Sequence, residues 1–248
     1  AEPSHALETC SRLPTRFREY TCIHGTGHAL MRGYHGVLDY SVKVCRGLGA
    51  VAAPDCSQGA FHDYWISLGG GDDTTRPENA ETSPRELCGN YSLARPCWYR
   101  YFWEREPSTN VYQAADIMEL CDGLEGLQRA GCVGGASLLM SRTRTPVAHA
   151  LACGKVTGAD ADPLECLRGV TVPSIANRPR AQLRLIETCS RLPLTTRSGC
   201  YSWFGRTLSV VTDGAFRRTG CTKLEPREAM HSCAAGADRR GEALRTFS

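Results

Sequence analysis

The chain has 248 residues, of which 42% are apolar and 22% charged, a composition typical of a globular protein with a sizeable core. Lys and Arg number 29 against 26 Asp and Glu, and this balance argues against a nucleic-acid partner or an anionic membrane surface. No apolar run reaches the roughly 18 residues of a membrane-spanning helix, so the sequence predicts no transmembrane segment.

Fourteen cysteines stand out in the composition, and taken in order they form seven couples. Successive couples start 32 to 43 residues apart, mostly near 35, which indicates a repeat protein. The local sequence repeats as well, since ETCSRLP occurs at residues 8–14 and again at residues 187–193. The couples are Cys10/Cys22, Cys45/Cys56, Cys88/Cys97, Cys121/Cys132, Cys153/Cys166, Cys189/Cys200 and Cys221/Cys233.

The even number of cysteines and the lack of CxxC spacing favour disulfides over zinc knuckles or a thioredoxin-like motif. Because equivalent repeats are expected to be cross-linked in the same way, we predict a local disulfide within each couple. Each bridge would close a loop of about ten residues and stabilise the fold by roughly 2–3 kcal/mol. Disulfides persist in oxidising surroundings, so the protein is predicted to be secreted, periplasmic or lumenal.

Segments with helical spacing of apolar residues alternate with turn-forming residues along the chain. Helices are predicted, in chain order, over residues 22–34, 56–68, 97–106, 111–121, 132–142, 145–153 and 179–189. The last two segments carry Pro146 and Pro179 at or near their start, where proline suits a first helical turn. The polar, Gly- and Pro-rich residues 69–84 predict an exposed loop.

One repeat is predicted to be a helix that ends at the first cysteine, a short loop, and a helix that begins at the second cysteine. A glycine stands three residues after the second cysteine in five copies. Glycine lowers helix propensity, so its recurrence inside predicted helices indicates close helix–helix approach. These residues are Gly25, Gly59, Gly135, Gly169 and Gly236.

A single αα-hairpin of this size buries little surface, so neighbouring hairpins must stack. The sequence therefore predicts an all-α fold of seven hairpins in one domain over residues 1–248, with an open right-handed superhelix favoured over a closed α/α toroid. The repeats start near Cys10, Cys45, Cys88, Cys121, Cys153, Cys189 and Cys221. The disulfide-stapled C…L…C..G arrangement resembles the secreted, cysteine-rich Sel1-like repeat proteins. The resemblance implies a helical-repeat architecture and carries no active site.

Histidines concentrate in the first two repeats, where the segment CIHGTGHALMRGYH spans residues 22–35. His24 and His28 are four residues apart and therefore share one face of a helix. His28 and His62 each stand six residues after the second cysteine of their couple, so stacked repeats place them side by side. Two imidazoles at i and i+4 with a third from a neighbouring helix are typical of a transition-metal site. We therefore predict His24, His28 and His62 as metal ligands.

Other side chains near these histidines are candidates for a fourth ligand or for hydrogen bonds to the ligands. They are His35, Asp63, Tyr99 and Glu104. His35 reaches the same helix face only if the helix continues past Gly33. Aromatic residues beside the histidines predict the wall of a substrate pocket. They are Tyr64, Trp65, Phe102 and Trp103.

The first functional hypothesis is a metal-dependent enzyme outside the cytoplasm. Copper or iron with an open coordination position favours an oxidoreductase, and zinc favours a hydrolase that uses a metal-bound water. An oxidising compartment without thiolate ligands favours copper over zinc and iron. No P-loop, GxSxG or nucleotide-binding GxGxxG context occurs, so no nucleotide cofactor is predicted.

Two alternatives remain open from the sequence. Stacked αα-repeats present a concave groove, so the protein is alternatively a metal-free module that binds peptides or proteins. Arg206 and Arg239 stand in the last two repeats at the position that His28 and His62 occupy in the first two. The second alternative is an acid–base enzyme that uses the histidines without a metal.

Overall fold

A computed structural model describes residues 3–13, 16–68, 83–104, 112–140, 146–177, 186–211, 220–222, 224 and 227–238. Throughout these ranges the regular secondary structure is helical and no strand occurs, which confirms the all-α prediction. No helix in the same ranges is both long and apolar enough to cross a membrane. Residue contacts divide the chain into two compact units, residues 1–107 and 108–246, and each unit is described by itself.

The helices of the first unit alternate between short and long. They are α1 (Pro3–Ser11), α2 (Arg16–Gly33), α3 (Leu38–Arg46), α4 (Ala52–Leu68), α5 (Pro84–Gly89) and α6 (Ala94–Glu104). The sequence of α3 explains its orientation, because Leu38, Ser41, Val42 and Cys45 recur at helical spacing and are all buried. The start of α5 is capped by Ser83, whose hydroxyl accepts a hydrogen bond from the Glu86 backbone N–H.

The second unit also contains short and long helices. It contains α7 (Ala114–Leu120), α8 (Gly126–Ser137), α9 (Pro146–Cys153), α10 (Asp162–Asn177), α11 (Leu194–Val211) and α12 (Arg227–Asp238). Short 3₁₀ helices follow α8 at Leu138–Met140 and precede α11 at Glu187–Arg191. At the start of α7 the Asp116 carboxylate accepts a hydrogen bond from the Gln113 backbone N–H at 2.7 Å.

All seven predicted disulfides are present, and no cysteine is free. In every bridge the second cysteine lies in a long helix, and in six of them the first cysteine lies in or directly after a short helix, with Cα–Cα distances of 5.4 to 5.8 Å in all seven. The pairing within each couple is therefore confirmed. The bridges are Cys10–Cys22, Cys45–Cys56, Cys88–Cys97, Cys121–Cys132, Cys153–Cys166, Cys189–Cys200 and Cys221–Cys233.

The predicted start of the long helix at the second cysteine of each couple is wrong. In all seven long helices the second cysteine lies inside the helix, between three and six residues after its first residue. These cysteines are Cys22 in α2, Cys56 in α4, Cys97 in α6, Cys132 in α8, Cys166 in α10, Cys200 in α11 and Cys233 in α12.

Prolines just before the second cysteine account for part of this error. Pro54 and Pro96 are turn-forming residue types between the two cysteines of their couples, but they lie in the first turn of α4 and of α6. Proline is tolerated there, because the first backbone N–H groups of a helix have no carbonyl partner within it. The residues before the second cysteine therefore form the first helical turn, and the bridge is anchored within the helix instead of at its end.

The recurring glycine lies where consecutive long helices cross. A Cβ atom at Gly59, Gly169 or Gly236 would overlap a backbone carbonyl oxygen of the preceding long helix. That carbonyl belongs to the residue two positions after the second cysteine in all three crossings: His24, Gly134 and Ser202. Close helix approach is thus confirmed at these crossings. Gly25 differs, since a Cβ there would meet nothing within 4 Å.

Some sequence predictions fall outside the described residues. Of the predicted loop at 69–84, residues 69–82 lie outside them, and Pro84 already belongs to α5. Of the predicted helix at 179–189, residues 179–185 lie outside them, and the end adopts 3₁₀ geometry from Glu187. The single domain, the superhelix and the number of repeats stay predictions.

Candidate metal centre

Helices α2 and α4 touch through their backbones in the first unit. Gly27 of α2 lies against the Cys56 carbonyl, and Gly59 of α4 lies against the His24 carbonyl. At either position a Cβ atom would overlap the facing backbone. Side chains one turn away from the glycines therefore meet across the crossing at short range.

The side chains that meet there are the three predicted ligands, His24, His28 and His62. Nε2 of His28 lies 3.0 Å from Nε2 of His24 and 3.2 Å from Nδ1 of His62. The third side of the triangle, from His24 Nε2 to His62 Nδ1, measures 3.4 Å. All three histidines are partly buried.

Two of the three imidazoles donate a hydrogen bond to a carboxylate through the ring nitrogen that is not part of the triangle. Nδ1–H of His28 donates to Asp63 Oδ1 at 2.6 Å, and Nε2–H of His62 donates to Glu104 Oε1 at 3.0 Å. These bonds fix the tautomers, because the opposite nitrogen of each ring then carries a lone pair that faces the cluster. Each carboxylate belongs to the repeat that follows the repeat of its histidine. Asp63 and Glu104 both stand seven residues after the second cysteine of their repeat, so the two partners occupy equivalent positions.

A partly buried polar network lies behind the cluster, formed by residues that sequence analysis missed. Arg100 contacts Glu104 Oε1 through Nη1 at 3.3 Å, and its charge also acts on Tyr20. Tyr20 donates its hydroxyl to Gln58 Oε1, and Gln58 in turn lies beside His24. Burial raises the pKa of Tyr20 to about 12, so its phenol stays protonated and keeps donating to Gln58.

The electrostatics of the site favour the neutral imidazole of His24. Burial, followed by the charge of Arg100 and the presence of His28 and His62, lowers the pKa of His24 from 6.5 to about 3. Burial alone would raise the pKa of Glu104, but the hydrogen bond from His62 and the charge of Arg100 outweigh it and hold that pKa below its ordinary value. His24 therefore keeps its lone pair at neutral pH, as a metal ligand requires.

The group of His, Cys, Asp and Glu side chains close enough to share a metal ion does not include the further candidates His35, Asp63 and Glu104. Helix α2 ends at Gly33, and His35 follows in an exposed turn with a φ of 53°, so it does not join the face of His24 and His28. Tyr99 stacks on Trp103 with ring centroids 5.9 Å apart, and burial raises its pKa above the ordinary value. Asp63 and Glu104 act through His28 and His62 instead of joining the triangle.

The four aromatic residues predicted as a pocket wall differ in their exposure, and three of them are buried. Tyr64, Trp65 and Phe102 are at most 2% exposed and belong to the core of the first unit. Trp103 is 44% exposed and lies on the surface of α6. The aromatic density of α6 indicated a pocket, but most of these rings fill space between helices α4 and α6 instead.

Equivalent positions in later repeats carry no histidine. Leu138 is buried at the site that corresponds to His28. The side chain of Arg206 and the whole of Arg239 lie outside the described residues. His149 is buried in α9 and His231 is exposed on α12, so neither belongs to the cluster.

No protein-family model, curated protein or solved structure matches this chain. The comparisons therefore give no support to the resemblance to Sel1-like repeats.

Proposed function

We propose that this protein is an extracytoplasmic metalloprotein that binds one first-row transition-metal ion through three imidazoles. The ligand atoms are Nε2 of His24, Nε2 of His28 and Nδ1 of His62. The observation that carries the proposal is the triangle of nitrogens with sides of 3.0, 3.2 and 3.4 Å. Seven intrachain disulfides support an oxidising compartment.

The size of the triangle suits a tetrahedral ion. A metal about 2.0–2.1 Å from each nitrogen requires nitrogens about 3.3–3.4 Å apart, close to the separations in this site. Small adjustments of the three side chains suffice to reach that geometry. The fourth position of the tetrahedron is left to water or another small ligand, which is the arrangement of catalytic rather than structural metal sites.

The hydrogen bonds also favour a cation at the centre of the triangle. The hydrogen bonds to Asp63 and Glu104 leave a lone pair on His28 Nε2 and another on His62 Nδ1. These two nitrogens face each other across 3.2 Å. A single proton on His24 Nε2 can satisfy only one of these acceptors well. A metal ion accepts all three lone pairs at once, and the two carboxylates balance its charge of +2.

Copper is the metal we assign to this site, with zinc second and iron third. Divalent copper binds a given set of nitrogen ligands more tightly than zinc or ferrous iron. All fourteen cysteines are bridged, so no thiolate is available to change that preference. With copper bound and one position open, we propose oxidative chemistry on a small molecule or peptide; with zinc, hydrolysis by a metal-bound water is the corresponding reaction.

The test is elemental analysis of protein purified from an oxidising compartment without a metal-affinity tag, followed by titration with Cu²⁺ and Zn²⁺. We expect one equivalent of metal in the wild type and its loss in the triple variant His24→Ala, His28→Ala, His62→Ala. The matched control is His35→Ala, His231→Ala, which removes exposed histidines outside the cluster and should bind as the wild type does. Absence of uptake of Cu²⁺, Zn²⁺ and Fe²⁺ by the wild type would overturn the proposal and favour the metal-free binding module.

A further inference from the structure

The Cys10–Cys22 disulfide differs from the other six in its exposure. All fourteen cysteines are described, and thirteen of them are at most 2% exposed. Cys22 is the exception, since it is partly exposed on α2. Thiol–disulfide exchange requires that a thiolate reach one sulfur of the bridge. Cys10–Cys22 is therefore more accessible to exchange than the other six bridges.

Cys22 also lines a cavity of about 480 Å³. The walls near it are built from small side chains, among them Ala6, Thr26 and Ala29, and a Cβ atom at Gly25 would meet nothing within 4 Å. At 100° per residue, Cys22, Thr26 and Ala29 lie on the face of α2 opposite to His24 and His28. The cavity is therefore separate from the proposed metal centre.

We propose that Cys22 is a thiol–disulfide exchange site for a low-molecular-weight thiol that binds in this cavity. The thiolate of the small molecule attacks Sγ of Cys22 and forms a new S–S bond. The bond between Cys22 and Cys10 breaks, and its electron pair leaves on Sγ of Cys10 as a thiolate. The product is a mixed disulfide on Cys22, and a second thiolate can release the small molecule as its own disulfide.

The cavity and the burial of Cys10 explain why the reagent is a small thiol and why the sulfur attacked is that of Cys22. Its volume falls in the range of about 300–1,000 Å³ that is typical of small-molecule sites, so a small thiol fits in it. Cys10 is 1% exposed, which makes it the leaving group and not the point of attack. Exchange removes the covalent link between α1 and α2, while the other six bridges stay protected by burial.

Reduced glutathione is the probe for this proposal. The folded, metal-free protein is incubated with graded glutathione, free thiols are alkylated, and peptides are mapped by mass spectrometry. We expect the first adduct on Cys22 with a free thiol at Cys10, while the other twelve cysteines remain bridged. Gly25→Leu places a side chain in the cavity and should slow the reaction about tenfold. Gly89→Leu is the control, because Gly89 also has open space around it but lies on α5 outside the cavity.

Three outcomes would overturn the proposal: a first adduct on any other cysteine, equal rates for Gly25→Leu and the wild type, or adducts that form only when the chain is unfolded by urea. None of these readouts depends on metal binding, so they are independent of the test of the metal centre.

Discussion

Gly59 of α4 packs directly against the backbone carbonyl of His24 in α2, and this contact sets the distance between the two helices that carry the three histidines. The same contact recurs between Gly236 and the Ser202 carbonyl in the second unit, where the described residues form no cluster of metal-ligating side chains. Among the described residues, this packing contact of the repeat therefore supports a candidate metal site at the crossing of α2 and α4 and at no other crossing.

Gly59→Ala is expected to weaken Cu²⁺ binding by about tenfold or more without altering any ligand. The added methyl group overlaps the His24 carbonyl, so α4 must move away and the distance from His62 to the histidines of α2 increases. Competition titration with a chelator of known affinity measures the change.

Gly236→Ala provides the matched control for this experiment. It creates the same overlap between α11 and α12, so both variants should lose about 1–3 kcal/mol of stability from overpacking. Only Gly59→Ala should lose metal affinity. Equal metal affinity of a folded Gly59→Ala variant and the wild type would show that the helix spacing does not set the site.

Asp63→Asn and Glu104→Gln are each expected to lower metal affinity by about 10–100-fold, because the carboxylates orient the rings of His28 and His62 and increase their basicity. Isothermal titration measures the loss. Glu119→Gln, at an exposed position on α7, is the control that removes one negative charge elsewhere. If the control lowers affinity as much as Asp63→Asn does, net charge and not ring orientation is responsible.

Register arguments predicted the core of the site correctly. His28 and His62 occupy the same repeat position, and stacking of equivalent helices brings them together as expected. The disulfides follow from the same reasoning, since each repeat has two cysteines at similar spacing that can form the same local bridge. Both results depend on the backbone repeat, which sequence spacing determines directly.

Contacts that depend on side-chain direction could not be predicted in this way. Arg100 and Gln58 reach the site only through the helix crossing angle, and neither residue type at its position signals a role. The ring of Phe102 is fully buried in the core of the first unit. Whether His35 lies on the same helix face as His24 and His28 depends on where α2 ends. The turn at Gly33–Gly36 ends it, and the spacing of the histidines does not predict that turn.

Asp162 in the second unit provides a test of stability that is independent of the metal. Its carboxylate is 2% exposed, accepts hydrogen bonds from Arg129 Nη2 at 2.7 Å and from the Ala159 backbone N–H at 2.8 Å, and lies at the start of α10. Asp162→Ala should cost about 3–5 kcal/mol, because it leaves the charge of Arg129 largely buried without its partner. Urea unfolding with the disulfides intact measures the loss.

The exposed neighbour Asp160 supplies the control for that variant. Asp160→Ala should change the free energy of unfolding by less than about 0.5 kcal/mol. Metal uptake by the first unit should remain at one equivalent in both variants. A loss below about 1 kcal/mol in Asp162→Ala would contradict the view that the ion pair is strongly coupled to folding.

The metal-free protein should lose stability as the pH falls below about 6.5, and His24 should account for part of this loss. Its pKa is about 3 in the folded protein and about 6.5 in the unfolded chain, so between these values only the unfolded chain binds the proton. Protonation therefore favours unfolding, and the contribution of His24 is complete above about pH 6.5 and declines by up to about 1.4 kcal/mol for each pH unit below it. Urea unfolding of the wild type and of His24→Gln at pH 7.5, 6 and 5, chosen as roughly even steps through this window, measures the difference. The wild type should fall more steeply than the variant, whereas parallel curves would show that His24 binds its proton equally in both states.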